Sequence, residues 1–357
     1  MIDLDDIKKI VELQGGDLVI KSIDNLSLQL SESFKNSYLI EFPEDFKKVS
    51  SVVVCGQGGS RFPSHIIKEL FKEKLAIPYI VNDDYNLPGF VDENTLIILS
   101  SYSGTTEEVL SCGEKAVKKG AKICGITVGG DLKTFLTKNN YPNYIIDPVY
   151  NPSNQPRIGF GYFVGGHLGI LFKLGFIKSE KTEVEQAIDN LKQLTKDFMV
   201  ETGKDRNQIK KLAEKLYQRY PYFIVSEFLT GVGNAIANQT NETAKSISSF
   251  RIIPELNHHF LEGLKFPDKL KEILTFVFFF SNFYSPKIQK RFSITKDVVE
   301  QNKIETAWFE LKGKNKIEQT FELMAIGSYL SMYLSVLYGQ DPKVIPYVDY
   351  FKKKLAE

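Results

Sequence analysis

Several groups of residues in this chain have the types and spacing that chemistry needs. The run Ser101-Tyr102-Ser103-Gly104-Thr105-Thr106-Glu107-Glu108 crowds hydroxyls and a glycine between an apolar stretch, 95–99, and a helical pattern over 107–119. A turn from a buried strand into a helix leaves the first backbone N–H groups without partners, and the helix dipole favours an anion there. The side chains of Ser101, Ser103, Thr105 and Thr106 add donors, and Gly104 lets the backbone approach closely. The turn has no lysine, which argues against a Walker-type nucleotide loop, so the expected ligand is a single phosphate ester. The competing reading is a plain helix cap completed by Glu107 or Glu108. A second turn, Gly56-Gln57-Gly58-Gly59-Ser60, weighs against it, because it also follows an apolar run, 51–55, and precedes a helical pattern over 64–74. Two such turns can converge at the carboxyl ends of neighbouring parallel strands, where open α/β sheets bind ligands.

If these turns hold a phosphate, the other end of the ligand should meet acids and bases. The second half of the chain supplies Glu242, Glu255, His258 and His259 within a short span, a constellation suited to proton transfer. Each has a structural alternative. Glu242 has Lys245 three residues on, the spacing of a surface ion pair, and His258 follows Pro254, where it can cap a helix or sit as a satisfied imidazole. Arg157, just after the Pro/Asn-rich 147–156 and before a glycine-rich stretch, is either a surface cation or a guanidinium that stabilises a developing oxyanion. Near the end of the chain Val344, Val348, Phe351 and Leu355 form a helical stripe with Lys352 and Lys354 at its borders, ordinarily a solvated helix end.

The elements that must position these residues follow from the patterning. Strands are predicted at 52–55, 77–81, 96–99, 122–127 and 144–146, alternating with amphipathic helices: the βαβ rhythm of a parallel sheet with helices on both faces. The stretch 159–174 predicts a closely packed helix. A second cycle starts at 222–226, with a glycine turn at 231–234 and a helix through 248. Further strands are predicted at 274–280, 292–299 and 304–311, then a long helix over 318–338 and a final helix after Pro342. The expected fold is α/β, two three-layer αβα units, each with a parallel sheet flanked by helices. The expected division is a helical segment 1–49, a first unit 50–177 with the phosphate cradle, a helical connection 178–220, a second unit 221–340 and a C-terminal helix 341–357.

Composition narrows the function classes. A net charge of +1 and no basic run longer than Lys352-Lys353-Lys354 leave no electrostatic footprint for nucleic acid. The first ten residues alternate acid and base with no apolar core, so no secretory signal is predicted, and the most apolar run, 273–280, is too short to span a bilayer. A cytoplasmic protein is expected. The three cysteines, Cys55, Cys112 and Cys124, form no C-x-x-C motif and read as reduced small hydrophobes. No metal signature is present, since the adjacent His258 and His259 point apart in either regular conformation.

Taken together, Gly56-Gln57-Gly58-Gly59-Ser60, Asp84-Tyr85-Asn86-Leu87-Pro88, the Ser101–Glu108 run, Gln155-Pro156-Arg157, Asn241-Glu242-Thr243-Ala244-Lys245 and Pro254-Glu255-Leu256-Asn257-His258 resemble the bifunctional phosphoglucose/phosphomannose isomerases, built from two sugar-isomerase (SIS) domains. The resemblance implies a cofactor-independent aldose-ketose isomerase. Gly59, Ser60, Ser101, Ser103 and Thr106 would hold a sugar 6-phosphate, Glu242 would move the proton between C1 and C2, and Arg157 would steady the enediolate. His258, supplied across a homodimer interface, and Lys352 would open the sugar ring. A non-catalytic sugar-phosphate sensor and an isomerase of another sugar phosphate are the alternatives. The chain departs from the family pattern at Arg61-Phe62-Pro63-Ser64-His65, where bulk could narrow the sugar pocket or add a phosphate cation. Further departures are Thr105 for a usual Asn, His259 for a common Asn, and Ser328-Tyr329 for an Asp-Trp pair.

Overall fold

The unbroken apolar runs Val52-Val53-Val54-Cys55 and Leu96-Ile97-Ile98-Leu99 demand cover on both faces, and the computed structural model, which describes residues 2–355 and 357, provides it. Met1 and Ala356, inside the first and last predicted segments, lie outside the described residues. Helices α1 (Ile7–Glu12), α2 (Gly16–Asp24) and α3 (Leu26–Tyr38) come first. Strands β1 (Ser51–Gly56), β2 (Tyr79–Asn82), β3 (Thr95–Ser101), β4 (Lys122–Thr127) and β5 (Asn143–Ile145) then form an all-parallel sheet in the order β2-β1-β3-β4-β5. Helices α4 (Phe62–Leu70), α5 (Glu107–Lys118) and α6 (Gly130–Lys138) connect them, and α7 (Phe160–Lys173) follows.

The two-residue period of the strands splits the apolar run between two cores. Val52, Val54, Leu96 and Ile98 pack with residues of α3, α4 and α7, while Val53, Cys55, Ile97 and Leu99 pack with residues of α5 and α6. The connections after β1 and β3 therefore leave to opposite faces. That opens a crevice between these neighbours at their carboxyl ends, the switch point of the sheet.

Helices α8 (Lys181–Thr195) and α9 (Gln208–Leu216) lead to a second parallel sheet, β6 (Tyr220–Ser226), β7 (Ser249–Ile253), β8 (Leu274–Phe280) and β9 (Glu305–Glu310), in the order β7-β6-β8-β9. Its connections hold α10 (Thr230–Ala244), the short α11 (Leu256–His259) and α12 (Leu270–Ile273), and α13 (Pro286–Gln301). Helices α14 (Lys316–Leu337) and α15 (Pro346–Leu355) end the chain. Among the described residues α14 is the one helix long and apolar enough to cross a membrane, and its apolar window is wholly buried inside the protein.

Two sequence expectations need correction, the strand at 292–299 and the glycine turn at 231–234, which lies inside α10. The predicted strand 292–299 is part of α13: Pro286 starts the helix, and its buried residues Ile288, Phe292, Thr295 and Val299 recur every three or four positions, a helical period. Strand β7 was not predicted, because it is a short run at a sheet edge, only partly buried and cut off by Pro254. The apolar stripe of the last helix faces solvent: Val348 is 40% and Phe351 63% exposed, and α15 buries no residue.

The glycines of α7 explain how it meets α3. A Cβ on Gly165 would lie 2.1 Å from Ser33 Oγ and 2.5 Å from the Leu30 carbonyl, and one on Gly169 would lie 2.0 Å from Ser37 Oγ. The two serines fold their hydroxyls back onto their own helix, to the carbonyls of Gln29 and Ser33, so the seam is closed with no stranded donor. Gly165→Ala should therefore cost about 1–3 kcal/mol of stability through overpacking, read as a lower denaturation midpoint; an unchanged midpoint would mean that the helices part freely.

Candidate active site

Both glycine turns stand at the switch point of the first sheet. The chain leaves β1 through Gly56 and Gln57 into the 3₁₀ turn Gly58–Ser60, and leaves β3 through Ser101 to Thr106 before α5 begins. The turns are stitched together: the Tyr102 N–H donates to Ser60 Oγ (2.8 Å) and Ser100 Oγ to the Ser60 carbonyl (3.1 Å). Behind them the buried His167 places Nε2 3.1 Å from Ser100 Oγ. Burial pushes the His167 pKa down to about 3, so this support is a neutral imidazole.

The second turn is braced from within. Ser101 Oγ pairs with Thr106 Oγ1 at 2.7 Å and accepts from the Gly104 N–H at 3.0 Å. Thr106 occupies the N-cap of α5 yet makes no side-chain capping bond, which removes the plain-cap reading and leaves first-turn N–H groups for a ligand. Ser103 is exposed, its Oγ accepting from Thr105 Oγ1 at 3.0 Å. Gly104 is required here by its positive φ of 73° and because a Cβ would lie 1.8 Å from the Gly129 carbonyl.

Gly59 joins this cradle to the rest of the site. A Cβ there would come within 2.7 Å of the Arg157 nitrogen, so the absence of a side chain lets the first turn rest on the backbone of residues 156 and 157. The Arg157 side chain is 1% exposed. Its Nε donates to Thr243 Oγ1 (3.0 Å), Nη1 to Gln155 Oε1 (2.9 Å) and to Glu242 Oε2 (3.5 Å), and Nη2 to the carbonyls of Pro342 (2.7 Å) and Lys343 (2.9 Å). The surface-cation alternative for Arg157 is thereby excluded.

Glu242 sits in the last turn of α10, half-buried. Burial raises its pKa above the ordinary carboxylate value, and the charges of Arg157, Lys352 and Lys245, in that order, pull it back down. A carboxylate with a raised pKa beside a fixed guanidinium can take a weakly acidic proton and have the resulting negative charge stabilised. Lys352 thus belongs to the electrostatics of the site although it lies on the exposed α15.

Of the residues singled out in the sequence, the structure brings Gly59, Ser60, Ser101, Ser103 and Thr106 to one crevice, and Arg157, Glu242 and Lys352 to its neighbourhood. It does not bring His258 there. Helix α10 runs back from the carboxyl edge of the second sheet, ending near Glu242, and β7 then returns the chain to that edge before α11. Five strand residues span about 17 Å, so within one chain His258 and Glu242 occupy opposite edges. His258 is exposed, and its neighbour His259 pairs with Glu255 at 2.9 Å.

The departures at 61–65 meet other parts of the fold, Arg61 at the carboxyl end of β2. Arg61 is neutralised by Asp83 at 2.6 Å, and Phe62 is buried edge-on against Phe160. His65 is held neutral, its pKa lowered to about 4 by burial and then by the charges of Arg61 and Lys68. Sequence reasoning missed Gln155, Thr243 and the 342–343 carbonyls as partners of Arg157. Gln155 stood in a motif already picked out, but nothing local announces a backbone carbonyl as a ligand.

The fold matches the C-terminal domain of glucosamine-fructose-6-phosphate aminotransferase from Francisella tularensis, with a TM-score of 0.69 at 14% identity over 91% of this chain and 97% of that one. Residues 205–355 match the family model of the bacterial phospho-glucose isomerase C-terminal SIS domain. These likenesses define the class: an α/β fold of two parallel sheets whose second half matches an SIS domain. The chain is 32% identical over 344 residues to the bifunctional phosphoglucose/phosphomannose isomerase of Caldicellulosiruptor bescii, covering 95% of this chain and 99% of that protein. It is 31% identical to the protein of the same name from Thermoplasma volcanium, covering 89% and 96%. The chain belongs to the family of bifunctional phosphoglucose/phosphomannose isomerases.

Gly104→Ala should weaken binding of inorganic phosphate by about fivefold to a hundredfold, since a left-handed, clashing alanine costs on the order of 1–3 kcal/mol. Calorimetric titration reads this directly, and unchanged affinity would remove the second turn from the anion site.

Proposed function

We propose that this protein interconverts glucose 6-phosphate and fructose 6-phosphate, and mannose 6-phosphate and fructose 6-phosphate, by proton transfer through a cis-enediolate. The observation that carries this reading is the Glu242 carboxylate 3.5 Å from the buried Arg157 guanidinium, beside the paired glycine turns, in a chain of this family. The phosphate of the open-chain sugar is held by Ser60, Ser101, Ser103, Thr106 and the free N–H groups of α5, with Gly59 giving it room. Phosphate contacts remote from the reacting carbons orient the substrate. Glu242 removes the proton from C2 of the aldose and returns it to C1, and Arg157 stabilises the negative oxygen formed between these steps. Lys352 and His258 exchange protons with the ring oxygen and hydroxyl during ring opening.

The exposed His258, a strand length from Glu242, supports a homodimer in which each site takes His258 from the other copy. The reading also includes a cytoplasmic enzyme of carbohydrate metabolism, divided into a helical segment 1–49, units 50–177 and 221–340, a connection 178–220 and a C-terminal helix 341–357.

A coupled assay from fructose 6-phosphate, with glucose 6-phosphate and mannose 6-phosphate detected separately in the presence of chelator, should give both products. Glu242→Gln should abolish turnover while phosphate-ligand binding persists; wild-type turnover in that variant would remove Glu242 as the base. Because its pKa is raised, the basic form is lost at a higher pH than for a free glutamate. The kcat/KM profile should thus fall on its acid side at a pH above 4.5, and a midpoint at or below that value would speak against the assignment.

Mixing inactive Glu242→Gln subunits with inactive His258→Asn subunits should restore activity, because a mixed dimer contains one site with both groups intact. No recovery on subunit exchange would place His258 outside the partner's site.

A further inference from the structure

Lys245 sits where a lysine is unfavourable. It is the C-cap of α10, with φ 53° and ψ 29°, a left-handed position that glycine or asparagine takes with little strain. Its side chain does not form the surface ion pair with Glu242 that the three-residue spacing suggests. Instead Nζ donates to the Thr243 carbonyl at 3.1 Å and to the Asp341 carbonyl. The next two carbonyls in the chain, Pro342 and Lys343, are those taken by Arg157 Nη2. Two cations beside Glu242 thus hold three consecutive carbonyls of the segment that leads into α15.

The rest of the segment's attachment is the buried Pro342 and a close contact with Gly15. Asp341 turns its carboxylate to the Lys343 N–H at 2.7 Å and lies against Gly15, where a Cβ would sit 2.3 Å from Asp341 Oδ1. Beyond it α15 buries no residue, yet Lys352 on that helix contributes to the field at Glu242. The placement of Lys352 therefore depends on the anchorage of residues 341–343. Burial, followed by the charge of Arg157, lowers the Lys245 pKa to about 8, in keeping with an ammonium packed into the site.

We infer that Lys245 is a positioning residue for the isomerisation: by holding the Asp341 carbonyl it seats α15 so that Lys352 stays within electrostatic reach of Glu242. This rests on the proposed roles of Glu242 and Lys352.

Lys245→Gly separates anchorage from folding, because glycine relieves the left-handed strain. The denaturation midpoint should not fall. The kcat should drop about ten- to a hundredfold, the scale of a misplaced catalytic group, with KM nearly unchanged because the phosphate turns are untouched. Lys245→Arg should recover much of the loss. In a Lys352→Ala background Lys245→Gly should add no further loss, since its effect passes through Lys352. Trypsin should cut at Lys352 to Lys354 faster in Lys245→Gly than in wild type, a readout that needs no turnover and so survives failure of the assignment of Glu242. Wild-type kcat in Lys245→Gly, a loss that multiplies with Lys352→Ala, or unchanged proteolysis would each overturn the inference.

Discussion

A guanidinium removed from water must find an acceptor for every N–H, and much of the active-site architecture follows from meeting that demand at Arg157. Burial lowers its pKa, and the charges of Glu242, Asp341 and Asp349 oppose the shift, while the intrinsic basicity of arginine keeps the charge in place. An unpaired charge in such a position costs several kcal/mol. The acceptors come from three separate parts of the chain: Gln155 in the loop before α7, Thr243 and Glu242 at the end of α10, and two carbonyls before α15. Satisfying one side chain therefore draws the second sheet's helix and the C-terminal segment to the first sheet's crevice. The main chain of Arg157 is held as well, its carbonyl accepting from Gln239 Nε2 at 2.8 Å.

Two opposed effects set the pKa of Glu242. Burial favours its protonated form, and the neighbouring cations favour the charged one. The structure combines both, with burial the larger effect. Since the folded pKa lies above the free value, ionised Glu242 works against folding above that pKa, and the cost disappears once it is protonated. The Arg157 contact at 3.5 Å is loose for a charge-assisted hydrogen bond, as the role proposed for it toward an intermediate requires.

The crevice itself depends on backbone approach. Gly59 and Gly104 each stand where a side chain would meet another stretch of main chain, so the turns can present N–H groups and hydroxyls without crowding a ligand. Around this centre α15 is exposed along its apolar stripe, and α11 stands at a sheet edge. Elements with few buried contacts are the ones that move or assemble most easily.

Local patterning sufficed for much of this protein. Unbroken apolar runs ending in glycine turns marked β1 and β3 and placed Ser60, Ser101, Ser103 and Thr106 at strand ends, because strand, turn and helix start are set by residues close in sequence. The same reasoning failed at 292–299, where a β-branched run lay inside a helix whose period shows only once Ile288 is included, and at β7, whose edge position leaves it only partly buried. Motif order was enough to pick out Arg157, Glu242 and Lys352, and family membership agrees with the resemblance. Only the tertiary structure decided that Arg157 is buried, that Lys245 reaches Asp341 rather than Glu242, and that His258 stands a strand away from the carboxylate. Those outcomes turn on contacts between residues far apart in the chain and on backbone carbonyls, which every residue carries and no sequence pattern distinguishes.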